Sequence, residues 1–414
     1  MLLLENACLL DVEAGAIREG SSVLVDGERI AEVSDRPIVA RDVQRVDLAG
    51  RTLMPGLIDA HVHCAITTMN LAAMTSRPVT LVAHEAGRIL GGMLRRGFTT
   101  VRDAGGADYG LAQAVERGLV LGPRLFYAGR VLSQTGGHGD LTPREDAPRL
   151  CACHIQSSGF SHVADGVAAV RKAAREELRR GASHVKIMAS GGVASPSDPI
   201  WNLQYSAEEM RAIVEEAEGW RTYAMAHAYT PEAIRRAVDA RVRTIEHGNL
   251  IDRATARHMQ AKGAYLVPTL VTYFAIDELG RKLGFPAVSQ AKVKDVLDQG
   301  LGSLEIAREA GLAMGFGTDL LGETHDQQSR EFALRARVLP PAEVIRSATL
   351  VNAAILNKTG ELGVIAPGAL ADLLVVDGDP LTNLSLLAEP EKHLAAVVKG
   401  GRFAVDRFLT ASRA

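Results

Sequence analysis

Six ionisable side chains of this sequence lie in or directly after short apolar runs: His61, His63, Lys186, His227, His247 and Asp319. The first two are two residues apart, and residues with that spacing in an extended strand point to the same side, so both imidazoles can reach one metal ion. Lys186 lies inside an apolar run, where an ammonium group is costly to bury unless it is paired or chemically changed. Four histidines, a carboxylate and such a lysine suit a pair of zinc-like ions.

Each of these residues, taken alone, also has an ordinary structural explanation. A His-x-His pair on a strand is often a coincidence, and His227 or His247 could be a core histidine with its hydrogen bonds satisfied. Lys186 could extend its ammonium group to solvent from a strand end, and Asp319 could cap the loop that follows it. The joint pattern favours a site, because all six residues are predicted at the carboxyl ends of strands, where barrels place their active sites.

The middle of the chain repeats one pattern, in which a helical stretch ends at a glycine and a short apolar strand follows. The glycines are Gly97, Gly181, Gly263 and Gly311, and a glycine just past a helix end takes the left-handed conformation that stops the helix. The candidate strands end near His63, Asp103, Ser133, Lys186, His227, His247, Thr269 and Asp319. Strands that alternate with helices in this number predict an α/β fold, a closed (β/α)8 TIM-type barrel. A doubly wound open sheet is the structural alternative, although no Gly-x-Gly-x-x-Gly motif supports a dinucleotide site.

Both ends of the chain read as short strands and turns. An Asp-Gly turn at residues 26–27 separates two β-like runs, which is a hairpin signature. Residues 371–378, near the other end, have the same pattern of a strand followed by a turn. We therefore predict a small composite β-sandwich domain from residues 1–53 and 362–414, and we assign residues 54–361 to the barrel.

Composition limits the classes of partner. The 414 residues include 46 basic and 49 acidic side chains, for a net charge of −3, and aromatic residues make up only 4%. Nucleic acids and anionic membranes bind basic surfaces, so neither is expected as a partner. The sequence has no signal-peptide core and no apolar stretch near the ~20 residues that span a bilayer. Its four cysteines form no disulfide framework, and we expect a cytoplasmic protein with free thiols that acts on small molecules.

Two further motifs carry a family resemblance over nearly the whole chain. MPGLIDAHVH at residues 54–63 and GELGVIAPGALADL at residues 360–373 resemble the amidohydrolase superfamily, in the subgroup whose two metal ions are bridged by a carboxylated lysine. The resemblance implies that the more buried metal ion is held by three residues and the second by two, with a carbamate on a lysine as the bridge. The residues in these roles would be His61, His63 and Asp319 for the first ion, His227 and His247 for the second, and Lys186 for the carbamate.

Three more stretches narrow the resemblance. TGGHGD at residues 135–140, KIMASGGVASPSDP at residues 186–199 and HAYTPEAI at residues 227–234 are similar to Xaa-Pro dipeptidase-like, carboxypeptidase-like and ochratoxin-hydrolysing amidohydrolases. In that subgroup the histidine matching His138 meets the scissile carbonyl, and the tyrosine matching Tyr229 contacts the substrate's carboxylate. The alternatives are a loop histidine that shapes a glycine-rich turn and a tyrosine that packs on the barrel rim.

The resemblance implies hydrolysis of the amide bond to a C-terminal amino acid in dipeptides or N-acyl amino acids, ochratoxin A-type amides included. Two divalent ions, expected to be zinc, would lower the pKa of a bound water and polarise the amide carbonyl. Asp319 would take the proton of that water and give it to the leaving nitrogen, while His138 would stabilise the developing oxyanion. The family further implies a homo-oligomer, with an octamer as one form.

Substrate preference and two competing functions stay open at this point. Long loops after strands 1, 3, 4 and 7, at residues 64–80, 134–165, 191–205 and 270–300, would build the pocket. Proline, a basic residue and phenylalanine are all candidate leaving groups. The first competitor is a cyclic-amide hydrolase of hydantoinase or dihydroorotase type with the same metal ligands. The second is a metal-free barrel that acts as a scaffold or interaction protein.

Overall fold

The computed structural model of the protein describes residues 1–74, 76–142, 160–195 and 198–407. Most of the segment predicted to line the pocket after the third barrel strand therefore lies outside the described residues, and so do Cys151 and Cys153. Within the described ranges, no helix is both long enough and apolar enough to cross a membrane.

Strands from both ends of the chain form one eight-stranded sheet. Its strands are Leu2–Asp11, Ala16–Asp26, Arg29–Ser34, Gln44–Asp47, Thr52–Pro55, Leu373–Val376, Leu394–Lys399 and Arg402–Asp406. The two ends meet where Met54 and Pro55 pair with Leu374 and Leu373 in antiparallel register. Because of this pairing, Met54 and Pro55 belong to the terminal sheet, although their sequence position placed them at the start of the barrel. The predicted hairpin is confirmed by the antiparallel pairing of the second and third strands.

Parallel strands form the barrel that follows. The first is Leu57–Val62, the second Phe98–Asp103, the third Arg124–Tyr127 with its continuation Val131–Ser133, the fourth Val185–Met188, the fifth Ala224–Ala228, the sixth Thr244–His247 and the seventh Tyr265–Val267. The short strand Ser161–Val163 pairs with Val131–Ser133. Residues 313–316 close the ring, since Gly315 N–H donates to Leu266 O and Ala60 N–H donates to Phe316 O, both at 2.8 Å. The predicted barrel with a β domain built from both termini is thus confirmed.

Helices connect the barrel strands, and two of them, Leu71–Met74 and Leu270–Leu279, contribute residues to the cavity described below. The longer ones are Val79–Arg95, Tyr109–Glu116, Val167–Arg179, Ala207–Gly219, Pro231–Asp239, Arg253–Ala261, Leu270–Leu279 and Ala287–Glu309. Shorter ones are Leu71–Met74, Arg330–Arg335, Pro341–Arg346, Asn352–Ile355, Ser385–Ala388 and Pro390–His393, with a 3-10 turn at Gly322–Gln327 and a π turn at Ser347–Val351. The four predicted helix-ending glycines all have φ between 65° and 93°, as the left-handed stop requires.

Two local features position the site. Ser206 and Glu209 form the capping box at the start of the helix Ala207–Gly219. The capping box fixes the point at which the segment after the fourth barrel strand ends and the helix begins. The segment after the seventh barrel strand, predicted as a long loop, is mostly the helices Leu270–Leu279 and Ala287–Glu309. This side of the pocket is therefore formed by regular structure, which is more rigid than a loop.

Candidate metal centre

The six predicted ligand residues come together at the carboxyl ends of the barrel strands. The Asp319 carboxylate lies 3.3 Å from His61 Nε2 and 3.2 Å from His63 Nε2. The ring centroids of His61 and His247 are 4.9 Å apart, and those of His227 and His247 are 4.7 Å apart. Lys186 is only 1% exposed and lines the same cavity.

One nitrogen of each histidine ring is already engaged by a neighbouring group. Nδ1 of His61 lies 2.7 Å from the Glu246 carboxylate, and Nδ1 of His63 lies 2.8 Å from Gly105 O. Nδ1 of His247 lies 2.8 Å from Thr269 Oγ1, and Nε2 of His227 lies 3.1 Å from Gly191 O. Hydrogen bonds of this kind fix the tautomer and the ring orientation of metal-ligating histidines, and they leave the other nitrogen as a donor to a metal.

A buried ion pair, which the sequence analysis missed, lies beneath His61. Arg102 Nη2 donates to both Glu246 oxygens at 3.0 and 3.1 Å, and Arg102 Nε donates to Ala60 O at 2.6 Å. Burial favours the neutral form of Glu246, but Arg102 and His61 hold the pKa of this carboxyl below its usual value. Glu246 therefore stays ionised and accepts from His61. The available sequence signal was a charged residue inside each of two strands, Arg102 in Phe98–Asp103 and Glu246 in Thr244–His247.

The donor set fits divalent metal ions. His61 Nε2 is a buried nitrogen that has no hydrogen-bond partner among the described residues. One ligand atom each from His61, His247 and Asp319 lies within 4.8 Å of the other two. Burial opposes ionisation of Asp319, yet the close contacts with the His61 and His63 rings keep its pKa well below the usual range. An ionised carboxylate surrounded by imidazole nitrogens is the ligand chemistry that zinc prefers.

Lys186 has an environment that favours its neutral amine. Burial lowers the pKa of Lys186 to about 8, although the carboxylates of Glu246 and Asp319 act in the opposite direction. The neutral amine is the form that can react with CO2 to give a carbamate. The surroundings of Lys186 are therefore compatible with the predicted bridge.

Two site residues adopt left-handed backbone conformations, with φ of 71° at His247 and 53° at Asp319. Such conformations cost about 1–3 kcal/mol for residues other than glycine, and they concentrate at functional sites. Neither angle could be read from the residue types.

The two predicted substrate-binding residues lie beside the metal ligands. The ring of His138 stacks on that of His227 with centroids 4.3 Å apart. The hydroxyl of Tyr229 lies 2.8 Å from that of Tyr273, a residue of the helix after the seventh strand that the sequence analysis did not assign to the site. Both tyrosines are buried, and burial raises the pKa of each above its ordinary value. They are therefore neutral hydroxyl donors.

Cys64, which follows His63, has a structural role. Its thiol donates to the Asp103 carboxylate at 3.1 Å. Burial and the neighbouring Asp103 raise the pKa of this thiol well above its usual value. A thiol held in its protonated form is a poor nucleophile.

The six ligand candidates, His138 and Tyr229 line one cavity. Besides the ligands, His138 and Tyr229, its described walls are mostly apolar: Ile66, Leu71, Leu141, Phe160, Met188, Val193, Ala194, Thr272, Tyr273, Ile276 and Leu321. Asp319 is the one carboxylate among these described lining residues. A mainly apolar pocket with a few convergent polar groups is the usual form of a small-molecule site.

Comparison with known proteins gives consistent matches over most of the chain. The sequence profile of the Amidohydrolase family matches residues 52–403. Ochratoxinase from Aspergillus niger is 31% identical over 361 residues, which cover 84% of this chain and 75% of that protein. A prolidase solved in complex with N-methylphosphonate-L-proline is 53% identical, with a TM-score of 0.95 over 98% of this chain and 99% of that one. A Xaa-Pro dipeptidase with bound methionine is 30% identical, with a TM-score of 0.87 over 97% and 99%.

Proposed function

Because the chain belongs to the amidohydrolase family and is a hydrolytic enzyme that acts on amide bonds, we propose that it releases a C-terminal amino acid from dipeptides or N-acyl amino acids. The observation that carries the proposal is the convergence of six metal-ligand candidates with His138 and Tyr229 in one cavity. The similarity to a prolidase complexed with N-methylphosphonate-L-proline and to ochratoxinase supports the same substrate class, ochratoxin A-type amides included.

The proposed cofactors are two divalent ions, most simply zinc, and a carbamate on Lys186. His61, His63 and Asp319 would hold one ion, His227 and His247 the other, with the Lys186 carbamate between them. When bound, the ions would supply a water of lowered pKa and would polarise the scissile carbonyl.

The protein's own side chains account for the remaining steps. Asp319, kept ionised by its histidine neighbours, can accept the proton of the attacking water and then pass it to the leaving nitrogen. His138 can donate to the carbonyl oxygen as negative charge develops there. The hydroxyls of Tyr229 and Tyr273 share one hydrogen bond, so one hydroxyl hydrogen of the pair remains free to bind the substrate's carboxylate.

The walls of the cavity favour a neutral leaving amino acid. A basic leaving group would need a counter-charge, and Asp319, the single carboxylate among the described lining residues, is occupied by its histidine neighbours. Proline and phenylalanine fit walls formed by side chains such as Ile66, Val193 and Ile276. We propose proline or an apolar amino acid as the preferred leaving group.

The deciding experiment is a screen of zinc-loaded enzyme against dipeptides and N-acyl amino acids that vary only in the C-terminal residue. Release of proline or apolar amino acids is expected. Turnover of hydantoins without any linear amide would instead support the cyclic-amide hydrolase. Less than one metal ion per chain, with no activity gained on adding zinc and bicarbonate, would support the scaffold. We also propose a homo-oligomer, the octamer being one form, which light scattering after size-exclusion chromatography can measure.

A further inference from the structure

His138 is held by a buried group of side chains from the segment after the fourth barrel strand, here called the Asp198 network and made of Ser195, Asp198 and Gln204. The Ser195 hydroxyl donates to the Asp198 carboxylate. Because a hydroxyl has a single hydrogen, the contact of 2.8 Å between Ser195 Oγ and His138 Nδ1 must be donated by the imidazole. The ring of His138 is therefore tied to Asp198 through Ser195.

The backbone of His138 is tied to the same carboxylate by a second route. Gln204 Nε2 donates to Asp198 Oδ2 at 2.9 Å, while Gln204 Oε1 accepts from His138 N–H at 2.8 Å. Ser195, Asp198 and Gln204 are each no more than 1% exposed. Buried hydrogen bonds of this kind are strong and leave little freedom to the groups that they join.

The environment of the ring leaves one nitrogen for the substrate. A face of the His138 ring stacks on His227, and a Cβ at Gly192 would lie only 2.2 Å from ring atom Cε1. The ring thus fits only because position 192 is a glycine. Since Nδ1 donates to Ser195, Nε2 is the ring nitrogen that remains for a carbonyl in the cavity. It can donate to that carbonyl when the ring carries hydrogens on both nitrogens, and the Asp198 carboxylate, with Oδ2 3.7 Å from Nδ1, balances the charge of that form.

Lys292 contacts the backbone of the segment that carries this network from a separate element of the fold. It projects from the long helix Ala287–Glu309, and its Nζ donates to Gly192 O at 3.0 Å, Ser195 O at 2.8 Å and Asp198 O at 2.5 Å. Three ammonium hydrogens thus meet three carbonyl oxygens of one short segment. Charge-assisted hydrogen bonds are about twice as strong as neutral ones, so Lys292 is well placed to hold the segment against the helix.

We propose that Lys292 and the Asp198 network are positioning residues for amide hydrolysis, which hold Nε2 of His138 at the scissile carbonyl. The inference rests on the proposed function, in which His138 contacts that carbonyl. It assigns a role to Lys292, almost 100 residues distant in sequence from the carbonyls that it binds. A displacement of about 1 Å at a catalytic group can cost ~100-fold in rate, so loss of this support should act on kcat.

The first test compares Lys292→Met with Lys294→Met, a matched control that removes an exposed lysine from the same helix. N-acetyl-L-proline serves as the substrate and zinc-loaded enzyme as the sample. We expect Lys292→Met to lower kcat by about 10–100-fold, with little change in KM or bound zinc, and Lys294→Met to match the wild type. A wild-type kcat in Lys292→Met would overturn the inference.

A double-variant cycle tests whether Lys292 acts through His138. His138→Asn alone should lower kcat, and adding Lys292→Met to it should lower kcat no further, because the positioned group is already gone. Full multiplication of the two effects would overturn the inference. If Lys292→Met unfolds at the assay temperature, the variant Ser195→Ala tests the inference instead. It should show the same loss of kcat at unchanged zinc content. A wild-type kcat in Ser195→Ala would overturn the inference. A wild-type kcat in His138→Asn would overturn the proposed role of His138 itself, which distinguishes the two failures.

Discussion

Replacing Glu246 by glutamine is expected to destabilise the protein and to weaken metal binding by two separable effects. The Glu246 carboxylate lies 2.7 Å from His61 Nδ1 and receives two hydrogen bonds from Arg102. The side chains of His61, Arg102 and Glu246 are at most 1% exposed. Glutamine has nearly the same shape and keeps one acceptor oxygen, but it removes the charge that compensates Arg102.

The two magnitudes follow from these contacts. Removing one partner of a buried ion pair costs about 3–5 kcal/mol, because the other charge is left uncompensated. The amide oxygen of glutamine can still accept from Arg102, so we expect the lower end, about 3 kcal/mol. Changes at the hydrogen-bond partner of a metal-ligating histidine typically reduce metal affinity by about 10–100-fold, and we expect that loss through His61.

Thermal unfolding of the metal-free protein and zinc titration against a chromophoric chelator measure the two effects separately. The control is Glu208→Gln, at an exposed helix position. The double variant Arg102→Met with Glu246→Gln should recover much of the lost stability, because no unpaired charge remains buried, yet zinc should still bind weakly. Metal-free Glu246→Gln that melts with the wild type would refute the argument that Glu246 compensates Arg102.

Three further predictions concern single residues. Lys186→Ala should remove most bound metal and nearly all activity, as measured by elemental analysis and turnover with added bicarbonate; two retained metal ions at the wild-type rate would contradict the carbamate assignment. Tyr229→Phe should raise KM for substrates with a free carboxylate more than for their amides, and an equal rise for both would mean that Tyr229 does not read the carboxylate. Burial lowers the pKa of His325 to about 3. The neutral form of His325 therefore contributes its full stabilisation above the unfolded-state pKa near 6.5, and this stabilisation is lost as the pH falls towards 3. The difference in unfolding free energy between wild type and His325→Gln should therefore shrink by about 1 kcal/mol between pH 7 and pH 5.5 in urea titrations; a constant difference would exclude a buried neutral His325.

The barrel and the location of its candidate site could be predicted because both depend on local signals. Short apolar runs that end at His61, His227 or His247 mark strand ends, and parallel strands in a barrel bring their ends together. The glycines that end helices and the capping box at Ser206 likewise depend on only a few adjacent residues.

The supporting groups could not be predicted, because their contacts join distant parts of the chain. Arg102 meets Glu246 from a strand 144 residues earlier, and Lys292 meets Gly192 across 100 residues. Lys292 lies on a helix that also carries Lys294, and nothing in the residue type separates the two. Lys292 contacts the carbonyl oxygens only because that helix packs against the segment after the fourth barrel strand.

The pair Glu246 and His247 shows how backbone strain and chemistry are linked at this site. Adjacent residues of a regular strand point to opposite faces, so a strand that turned His247 towards the metal ligands would turn Glu246 away from Arg102. Both residues nevertheless reach the barrel interior, and His247 has a φ of 71°. We infer that this turn of the backbone lets both side chains face inward. This conformation costs about 1–3 kcal/mol, and it accompanies the hydrogen bonds of Glu246 to Arg102 and of His247 to Thr269. The strained residue therefore lies among the same contacts that orient the metal ligands.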